Sequence, residues 1–566
     1  MTNPKNKRWI VLHKGGDFQA TAAKYHISPV IARLIRNRDI ISPADITQYL
    51  YGDKNNLHDP FIMKDMKAAV DILQNKINHH AKIRVIGDYD IDGVNGTYIL
   101  QQGLLALGAI VDTDIPDRTK DGYGLNQELV KRAHHDGIDT IITTDNGIAA
   151  HDEIAYGKSL GLTIIVTDHH EVPELVPPAD AIINPHQQDC PYPFKGLCGA
   201  AIAYKLIEGM HRSANRELSQ IENLIENVAI ATIGDVMDLV EENRIFVKIG
   251  LGKSRNTQNV GLKTLIEQNS VALRQLNSYH IGFVIGPCIN AGGRLSTAKK
   301  ALELLNATTT DQAHQLAAQL IALNDERKEL TVVGVDMAIE QIEHSDLIHD
   351  QVLVVYLPDC HESIAGIIAG RLRERYYRPV IVLTKGENNI KGSGRSIEEY
   401  HMYDGLLKCS SLLIRFGGHK LAAGMSLAEE NIDLLRQQLN REAKLTQEDL
   451  TEKVSIDMPL PFRYISEQLI TELSLLEPMG KGNRKPVFAQ KEVTVRYPKI
   501  MGVKQNVLKF QAIDSDGTKI DAIYFGQVQD CYDYLQKNST VSLTYYPQIN
   551  EYMEKRTLQI TVQDYA

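Results

Sequence analysis

The sequence predicts an α/β protein with a parallel-sheet domain, a connector helix, a smaller α/β domain and a C-terminal β-barrel. Three apolar strand patterns, at 82–86, 140–144 and 162–167, alternate with helical patterns. That alternation is typical of a parallel sheet with crossover helices. Strand patterns return at 352–357 and 380–383, which indicates a second α/β domain. Short alternating strands separated by turns follow toward the C-terminus and favour a small barrel.

Length and composition limit the classes of protein to which this chain can belong. The chain has 566 residues, of which 43% are hydrophobic and 23% charged. These values indicate a soluble globular protein of about two to four domains. No stretch approaches the ~18 continuous apolar residues of a membrane span, and the N-terminus lacks the apolar core of a signal peptide. Six cysteines without paired spacing predict a reducing cytoplasm.

The net charge also excludes one class of protein. The chain carries 61 Lys and Arg residues against 71 Asp and Glu residues, a formal net charge of −10. A globally basic nucleic-acid binder is therefore excluded. We expect any anionic ligand to be held by a local site or by bound metal.

Periodicity divides the chain into five predicted parts. Ala313, Leu316, Ala317, Leu320 and Ile321 fall on one helix face, which indicates a helix linking the two α/β domains. The predicted parts are an N-terminal helical cap at 1–60, the parallel-sheet domain at 61–304, a helical connector at 305–348, the smaller α/β domain at 349–450 and the barrel at 451–566. Because the sequence ends with the barrel, we expect no further C-terminal domain.

The strongest chemical signal is the segment 87–93, which carries Asp88, Asp90 and Asp92 directly after a strand. Carboxylates this close repel strongly unless a cation neutralises them, and hard divalent cations prefer such oxygen ligands. A solvated turn and a calcium-binding loop are the alternatives. An EF-hand loop requires Glu at its twelfth position, counted from Asp88, where this chain has Ile99.

Two further polar segments follow the next strands. Asp145 ends the strand at 140–144, and Asp168, His169 and His170 end the third strand. Ligands of open α/β sheets bind at the carboxyl ends of the strands. A His-His pair alone is more often a surface pair. Three acidic strand ends in one α/β unit instead favour a shared site.

Asp235 follows a helical run at 225–233 and is a fourth candidate, although a lone Asp there is usually a helix cap or faces solvent. Carboxylates combined with imidazole suit Mn²⁺ or Mg²⁺. Two such ions ~3.5–4 Å apart activate water and stabilise both oxygens of an in-line phosphoryl displacement. Asp145 has two oxygens and could bridge them. The pattern predicts hydrolysis of a phosphate ester or anhydride.

Several other segments combine a cation or a polar side chain with flexible backbone, which favours phosphate binding. Any one of them alone would also fit a simple turn. The segments are those that contain Arg118 after the strand at 109–115, Asn290 and Arg294 around Gly292 and Gly293, Ser393 and Arg395 within 392–396, and His419 after Gly417 and Gly418.

Taken in order, these motifs resemble the DHH phosphoesterase superfamily, and most closely its branch of 5′→3′ exonucleases specific for single-stranded DNA. The resemblance rests on the segments 85–93, 144–147 and 168–170 for the catalytic domain, on 392–396 and 417–424 for the DHH-associated domain, and on 477–488 for the start of an oligonucleotide-binding (OB) barrel. Two positions depart from the family pattern. Cys288 stands where the family usually has Arg, and Arg484 stands where it usually has Pro.

The resemblance implies a role for each candidate residue. Asp90, Asp92, Asp145, His169 and Asp235 match metal ligands, with Asp145 as the bridge; Asp88 matches an additional acidic position near the first metal; His170 matches a residue that contacts the scissile phosphate; Arg118, Ser393 and Arg395 match positions that hold phosphates at or next to the 5′ end; and Asn290, Arg294 and His419 match further contacts to the DNA backbone. Asp145 and His170 are therefore the expected catalytic residues.

The leading hypothesis is a metal-dependent exonuclease with two Mn²⁺ or Mg²⁺ ions, acting on single-stranded DNA in recombination and repair. The resemblance implies a single-strand-binding protein and a recombination helicase as partners, and no membrane. Phe510, Tyr545 and Tyr546 in the barrel could stack on bases or belong to its core. The alternatives are a DHH phosphodiesterase of short oligonucleotides or cyclic dinucleotides, and a binding protein with an inactive site.

Overall fold

The computed structural model describes residues 7–118, 124–552 and 555–566. The chain forms two compact units, each assembled from separate stretches of sequence. The first unit contains Met1–Ile46, Thr331–Glu477 and Lys485–Ala566, and the second contains Thr47–Leu330 and Pro478–Arg484. In the described part of the chain, no helix combines the length and the apolar character that crossing a membrane requires.

The N-terminal third of the chain alternates strands and helices. Its elements are β1 (Lys7–Val11), α1 (Phe18–Tyr25), α2 (Pro29–Asn37), α3 (Pro43–Tyr51), α4 (Met66–Asn78), β2 (Lys82–Gly87), α5 (Ile91–Ala106), β3 (Ile110–Asp114), α6 (Gln127–His135), β4 (Thr140–Thr144), α7 (His151–Ser159), β5 (Thr163–Thr167) and β6 (Ala181–Ile183).

A mainly helical region follows. Its helices are α8 (Gly199–Ser213), α9 (Ile225–Gly234), α10 (Glu241–Ser254), α11 (Val260–Gln268), α12 (Ser278–His280), α13 (Gly286–Leu295), α14 (Lys299–Leu305) and α15 (Thr310–Glu343). A π-helical turn, Ile281–Ile285, joins α12 to α13.

The C-terminal part returns to strands. Its elements are β7 (Leu353–Tyr356), α16 (Glu362–Tyr376), β8 (Val380–Lys385), β9 (Ile390–Arg395), α17 (Met402–Leu407), β10 (Leu413–Gly418), β11 (Ala422–Leu427), α18 (Ile432–Ala443), β12 (Glu452–Ile456), β13 (Met458–Pro459), α19 (Glu467–Leu473), β14 (Phe488–Met501), β15 (Val507–Ile513), β16 (Lys519–Tyr524), α20 (Val528–Lys537), β17 (Thr540–Tyr552) and β18 (Lys555–Tyr565).

The second unit is built on a five-stranded sheet in the order β3-β2-β4-β5-β6. All four neighbouring pairs are parallel, which confirms the predicted parallel sheet. The strands β2, β4 and β5 consist almost entirely of buried residues, as expected for strands covered on both faces. Because the strands are parallel, the polar residues that follow them lie at the same edge of the sheet.

The first unit contains the smaller α/β domain and the barrel. Its mixed sheet has the order β10-β11-β9-β8-β7, and only the β7–β8 pair is parallel. The barrel runs β14-β15-β16-β18-β17 and closes because β14 also pairs with β17. Closure removes exposed strand edges. Both predicted folds are thereby confirmed.

Two details differ from the sequence analysis. The segment at 1–60 was predicted to be helical, yet β1 is a strand that pairs in parallel with β12. In the sequence, Val493, Val495 and Tyr497 alternate with polar residues, but Tyr497 does not share the inward face of Val493, because the register shifts between Arg496 and Lys499 and Tyr497 adopts a φ of 55°. Its side chain is therefore largely exposed, at 78%.

The barrel aromatics divide between the core and the surface of the barrel. Phe510 and Tyr545 are buried in the barrel, so they are core residues and do not stack on bases. Tyr546 is half-buried, and the Lys485 ammonium lies 3.9 Å from its ring centroid.

Candidate active site

The first part of the site is the turn between β2 and α5. Asp88 follows β2 directly and is buried. Asp90 is the N-cap of α5, where its carboxylate accepts hydrogen bonds from the backbone amides of Asp92 and Gly93 at 2.9 and 3.1 Å. The cap satisfies amides that would otherwise lack partners at the helix start. Gly93 is required here, because a Cβ would lie 2.4 Å from the Asp88 carbonyl oxygen.

Asp92 is completely buried and is held by the start of α8. Its two oxygens accept hydrogen bonds from the backbone amides of Gly199 and Ala200, at 2.7 and 2.8 Å. A helix N-terminus favours a negative charge through its unpaired amides and its dipole. These contacts fix the orientation of Asp92 from a segment that lies 107 residues further along the chain.

Asp145 lies at the end of β4 in a left-handed conformation with a φ of 61°. Left-handed backbone is uncommon for a residue other than glycine and clusters at functional sites. Gly199 packs against it so closely that a Cβ would lie 2.7 Å from the Asp145 Cβ. Both observations indicate that the Asp145 carboxylate is held in one place.

The imidazole of His169 lies close to three of the aspartates. Its Nε2 atom lies 3.0 Å from an Asp145 oxygen, 3.6 Å from an Asp92 oxygen and 3.8 Å from an Asp235 oxygen. Asp235 is the residue that ends α9. The fold therefore brings Asp235, which caps the end of α9, to the cluster.

His170 is oriented by Asp168, which the sequence analysis did not select as a site residue. The Nδ1 atom of His170 lies 2.7 Å from an Asp168 oxygen. Asp168 is buried and also accepts hydrogen bonds from the backbone amides of Ile148, His169 and His170. Burial lowers the pKa of His170, but the hydrogen bond and charge of Asp168 outweigh it and raise that pKa to about 9.

The carboxylates carry the electrostatic signature of a cation site. Burial raises the pKa of Asp88, Asp92, Asp145 and Asp235, and the charge of neighbouring aspartates raises each of them further. Burial also lowers the pKa of His169, which favours the neutral imidazole that binds metals. One buried oxygen of Asp88 has no hydrogen-bond partner among the described residues.

The donor atoms form three overlapping groups whose members lie within 4.8 Å of one another. The groups are Asp88, Asp90 and Asp145; Asp92, His169 and Asp235; and Asp145, His169 and His170. Asp145 belongs to two of them. Buried carboxylates combined with imidazole nitrogens match the ligand preference of Mn²⁺ and Mg²⁺. These residues therefore fit two hard divalent cations.

Three of the predicted phosphate-binding residues lie in the second unit near this cluster. The Arg118 guanidinium lies 5.0 Å from the centroid of the Tyr89 ring, and its charge acts to lower the pKa of Asp88. The side-chain oxygen of Asn290 accepts a hydrogen bond from the Ile91 amide at 2.9 Å. Arg294 is half-buried at the end of α13.

The remaining predicted residues, Ser393, Arg395 and His419, lie in the first unit. Ser393 and Arg395 are half-buried on β9 and pack against Gly366 of α16, where a Cβ would lie 2.9 Å from an Arg395 nitrogen and 3.4 Å from the Ser393 hydroxyl. His419 is exposed in the turn between β10 and β11. Within this unit, Ser393 and Arg395 lie on β9, and the His419 amide donates a 2.8 Å hydrogen bond to the carbonyl oxygen of Ala422, the β11 residue that pairs with Arg395.

Cys288 and Arg484, which depart from the family pattern, have different surroundings. Cys288 is buried on α13, with its sulfur 3.2 Å from the Val284 carbonyl oxygen and 3.4 Å from the Asn324 side-chain nitrogen. Arg484 is exposed. Cys288 therefore packs inside the unit and cannot contact a ligand at the surface.

Three families match consecutive parts of the chain. The family described as the DHH family, N-terminal domain, matches residues 82–232; the DHHA1 domain matches 349–445; and the RecJ OB domain matches 456–564. Fold and site together define a DHH-family protein with an OB barrel.

The full-length comparisons are more specific. The chain is 34% identical, over 99% of its own length and 71% of the relative, to the single-stranded-DNA-specific exonuclease RecJ of Bacillus subtilis (strain 168). It also matches the crystal structure of RecJ from Thermus thermophilus in complex with Mn²⁺, with a TM-score of 0.85, 27% identity, and 99% and 79% of the two chains covered. The Mg²⁺ complex of that protein matches with a TM-score of 0.79, 26% identity, and 99% and 78% covered. The chain belongs to the RecJ family.

Proposed function

We propose that this chain is a metal-dependent exonuclease that hydrolyses single-stranded DNA from its 5′ end and releases 5′-mononucleotides, in DNA recombination and repair. The observation that carries the proposal is the convergence of Asp92, Asp145 and Asp235 within 3.8 Å of the His169 Nε2 atom. The RecJ relatives are named as single-stranded-DNA-specific exonucleases. The barrel supports a substrate longer than a dinucleotide, because OB folds bind extended strands.

We assign Mn²⁺ or Mg²⁺ to the carboxylate cluster as two ions. Their ligands would be Asp88, Asp90, Asp92, Asp145, His169 and Asp235, with Asp145 shared between the two. When bound, such ions lower the pKa of a water molecule and neutralise charge on the phosphate. The protein fixes the ligands beforehand, through the α5 cap at Asp90 and the α8 amides at Asp92.

His170 would act on the scissile phosphate. Asp168 accepts a hydrogen bond from the Nδ1–H of His170, which fixes the imidazole ring, and in the charged form of the ring that Asp168 favours the Nε2–H remains to donate to a phosphate oxygen. A carboxylate that accepts a hydrogen bond from one ring nitrogen fixes the orientation of the ring and leaves the other nitrogen for the substrate. His170 therefore supplies positive charge where negative charge develops on the phosphate in the transition state.

The predicted basic residues would hold the DNA backbone. Arg118, near the cluster, suits a phosphate at the 5′ end, and Asn290 and Arg294 suit phosphates further along the strand. Ser393, Arg395 and His419 would contact phosphates from the smaller α/β domain. We retain the five-part division at 1–60, 61–304, 305–348, 349–450 and 451–566 as part of this proposal, with catalysis assigned to the second part and DNA binding shared by the second part and the last two.

The proposal extends to the cellular setting of the enzyme. All six cysteines are free, and five of them are buried, which supports a reducing cytoplasm. A single-strand-binding protein and a recombination helicase would generate or protect the substrate. Pull-down of either protein by the purified chain, with DNA removed by a non-specific nuclease, tests this part.

A digestion panel tests the activity itself. Single-stranded DNA, duplex DNA, RNA dinucleotides and cyclic dinucleotides are compared with Mn²⁺ or Mg²⁺, and polarity is read from 5′ and 3′ end labels. We expect release of mononucleotides from the 5′ end of single-stranded DNA only. Rapid cleavage of dinucleotides without digestion of long strands would favour the short-substrate phosphodiesterase instead.

A further inference from the structure

Two aromatic side chains between α11 and α13 are unusually exposed. Tyr279 and Phe283 are 61% and 70% exposed, and their rings stack with centroids 5.0 Å apart and an interplanar angle of 29°. Large aromatic side chains usually bury most of their surface. An exposed apolar patch of this kind often marks a binding site. The neighbouring Ile281 and Ile285 are buried, so the helix is anchored while the two rings face solvent.

The local backbone connects these rings to a proposed metal ligand. Gly282, between the two aromatic residues, packs against Ile233, where a Cβ would lie 3.5 Å from the Ile233 methyl group. Ile233 lies two residues before Asp235. The π-helical turn contains Gly282 and Phe283, and π-helical turns are frequent at functional sites.

The segment that carries the two rings also contacts a loop that contains a lysine. The Ser278 hydroxyl, next to Tyr279, donates a 2.6 Å hydrogen bond to the Met479 carbonyl oxygen. Lys481, two residues beyond Met479, has a side chain that is 59% exposed, pairs with Asp238 at 3.5 Å and acts to lower the pKa of Asp235. An exposed aromatic pair on a segment that also contacts the loop carrying Lys481, near the proposed metal ligand Asp235, suits single-stranded nucleic acid, whose bases stack and whose phosphates are negative.

We propose that Tyr279 and Phe283 form a stacking platform for bases of the single-stranded DNA substrate. The inference rests on the proposed exonuclease function and adds to it a base-contacting surface outside the barrel. Stacking on an aromatic face tolerates every base, because each base has a π-face. The platform therefore increases affinity for an unpaired strand without selecting its sequence. Paired bases are stacked within the duplex and cannot use it.

The test is a steady-state comparison of the full-length wild-type protein with the Tyr279→Ala/Phe283→Ala double variant on a 5′-phosphorylated oligonucleotide. We expect the KM of the variant to rise about tenfold or more, because base–aromatic stacking contributes ~1–3 kcal/mol per base. We expect kcat at saturation to change by less than about twofold. Phe283→Trp should keep the wild-type KM. Tyr51→Ala, which truncates another exposed aromatic residue of the second unit, is the matched control and should also keep it.

A scan of single abasic sites through the oligonucleotide makes the test specific for bases. The wild-type protein should show a raised KM when the abasic site falls at one or two positions, and the double variant should show no such position. An unchanged KM in the double variant, or an identical abasic profile in both proteins, would overturn the platform. A loss of kcat with an unchanged KM would also overturn it, by indicating a structural role. If the wild-type protein releases no nucleotides with either metal, the exonuclease proposal fails instead.

Discussion

The side-chain amide of Asn227 on α9 donates a 2.9 Å hydrogen bond to the side-chain oxygen of Asn95 on α5. Both side chains are fully buried. Asn95 in turn donates to the Ile91 carbonyl oxygen at 2.6 Å, and Ile91 separates two of the clustered aspartates. The pair thus joins the helix that begins at the aspartate loop to the helix that ends at Asp235.

We predict that Asn227→Ala will destabilise the protein by about 1–3 kcal/mol, because it leaves the Asn95 side-chain oxygen buried without its partner. Urea unfolding measures the change. Asn75→Ala, on the outer part of α4, should change the free energy of unfolding by less than about 0.5 kcal/mol. Equal stability of the two variants would contradict the importance of the pair.

Replacement of Asp145 should abolish activity without unfolding the protein. Asp145→Asn keeps the side-chain volume but removes the charge proposed to hold both cations, and we expect nucleotide release to fall by at least about a thousandfold. Initial rates on labelled single-stranded DNA give the comparison. The control Asp71→Asn changes an exposed carboxylate that pairs with Lys67 and should keep the wild-type rate. Retained activity in Asp145→Asn would exclude it as a shared ligand.

Arg395 should contribute to substrate binding more than to catalysis. We expect Arg395→Ala to raise KM for single-stranded DNA about tenfold, because one charge-assisted contact to phosphate is lost. Arg441→Ala removes an exposed arginine from α18 and is the matched control. A KM equal to that of the control would remove Arg395 from the proposed DNA contacts.

Glu226 gives the stability of the second unit a pH dependence. Burial raises the pKa of this carboxyl from an ordinary 4.5 to about 7, although the Thr257 hydroxyl donates a 3.0 Å hydrogen bond to it. Below pH 4.5 the group is neutral in both states. Between pH 4.5 and 7 only the unfolded state ionises, so the free energy of unfolding falls as pH rises, by up to about 3 kcal/mol.

Glu226→Gln should therefore flatten the decline in stability between about pH 5 and 7 and should leave the protein more stable than wild type at about pH 8. Glu222→Gln is the control, because the hydrogen bond to Lys253 lowers the pKa of Glu222 instead. Chemical denaturation at intervals across this pH range follows both variants. A Glu226→Gln profile parallel to wild type would show that Glu226 titrates normally in the folded protein.

The sequence predicted the sheet and the aspartates because both depend on local pattern. The strands β2, β4 and β5 are short segments rich in Ile, Val and Thr, and each is followed by an aspartate at the sheet edge. Placement of Asp235 could not be derived in the same way, because it depends on the packing of α9 rather than on a strand end. The sequence pattern offered Asp235 only as a candidate, and the family resemblance alone implied a role for it as a metal ligand.

Contacts between segments that are distant along the chain could not be predicted from local sequence pattern. The amides of Gly199 and Ala200 that hold Asp92 carry no side-chain signal, and the pairing of β1 with β12 joins Lys7–Val11 to the distant segment Glu452–Ile456. Asp168 was visible in the sequence as part of the Asp-His-His segment. Its role in orienting His170 became clear only from the 2.7 Å contact between them.

Anomalous diffraction from crystals soaked in Mn²⁺ tests the central claim most directly. We predict two peaks within about 4 Å of each other, with Asp145 contacting both and His169 contacting one. The Asp145→Asn variant should lose at least one peak. A single peak, or peaks remote from Asp92, Asp145, His169 and Asp235, would contradict the account.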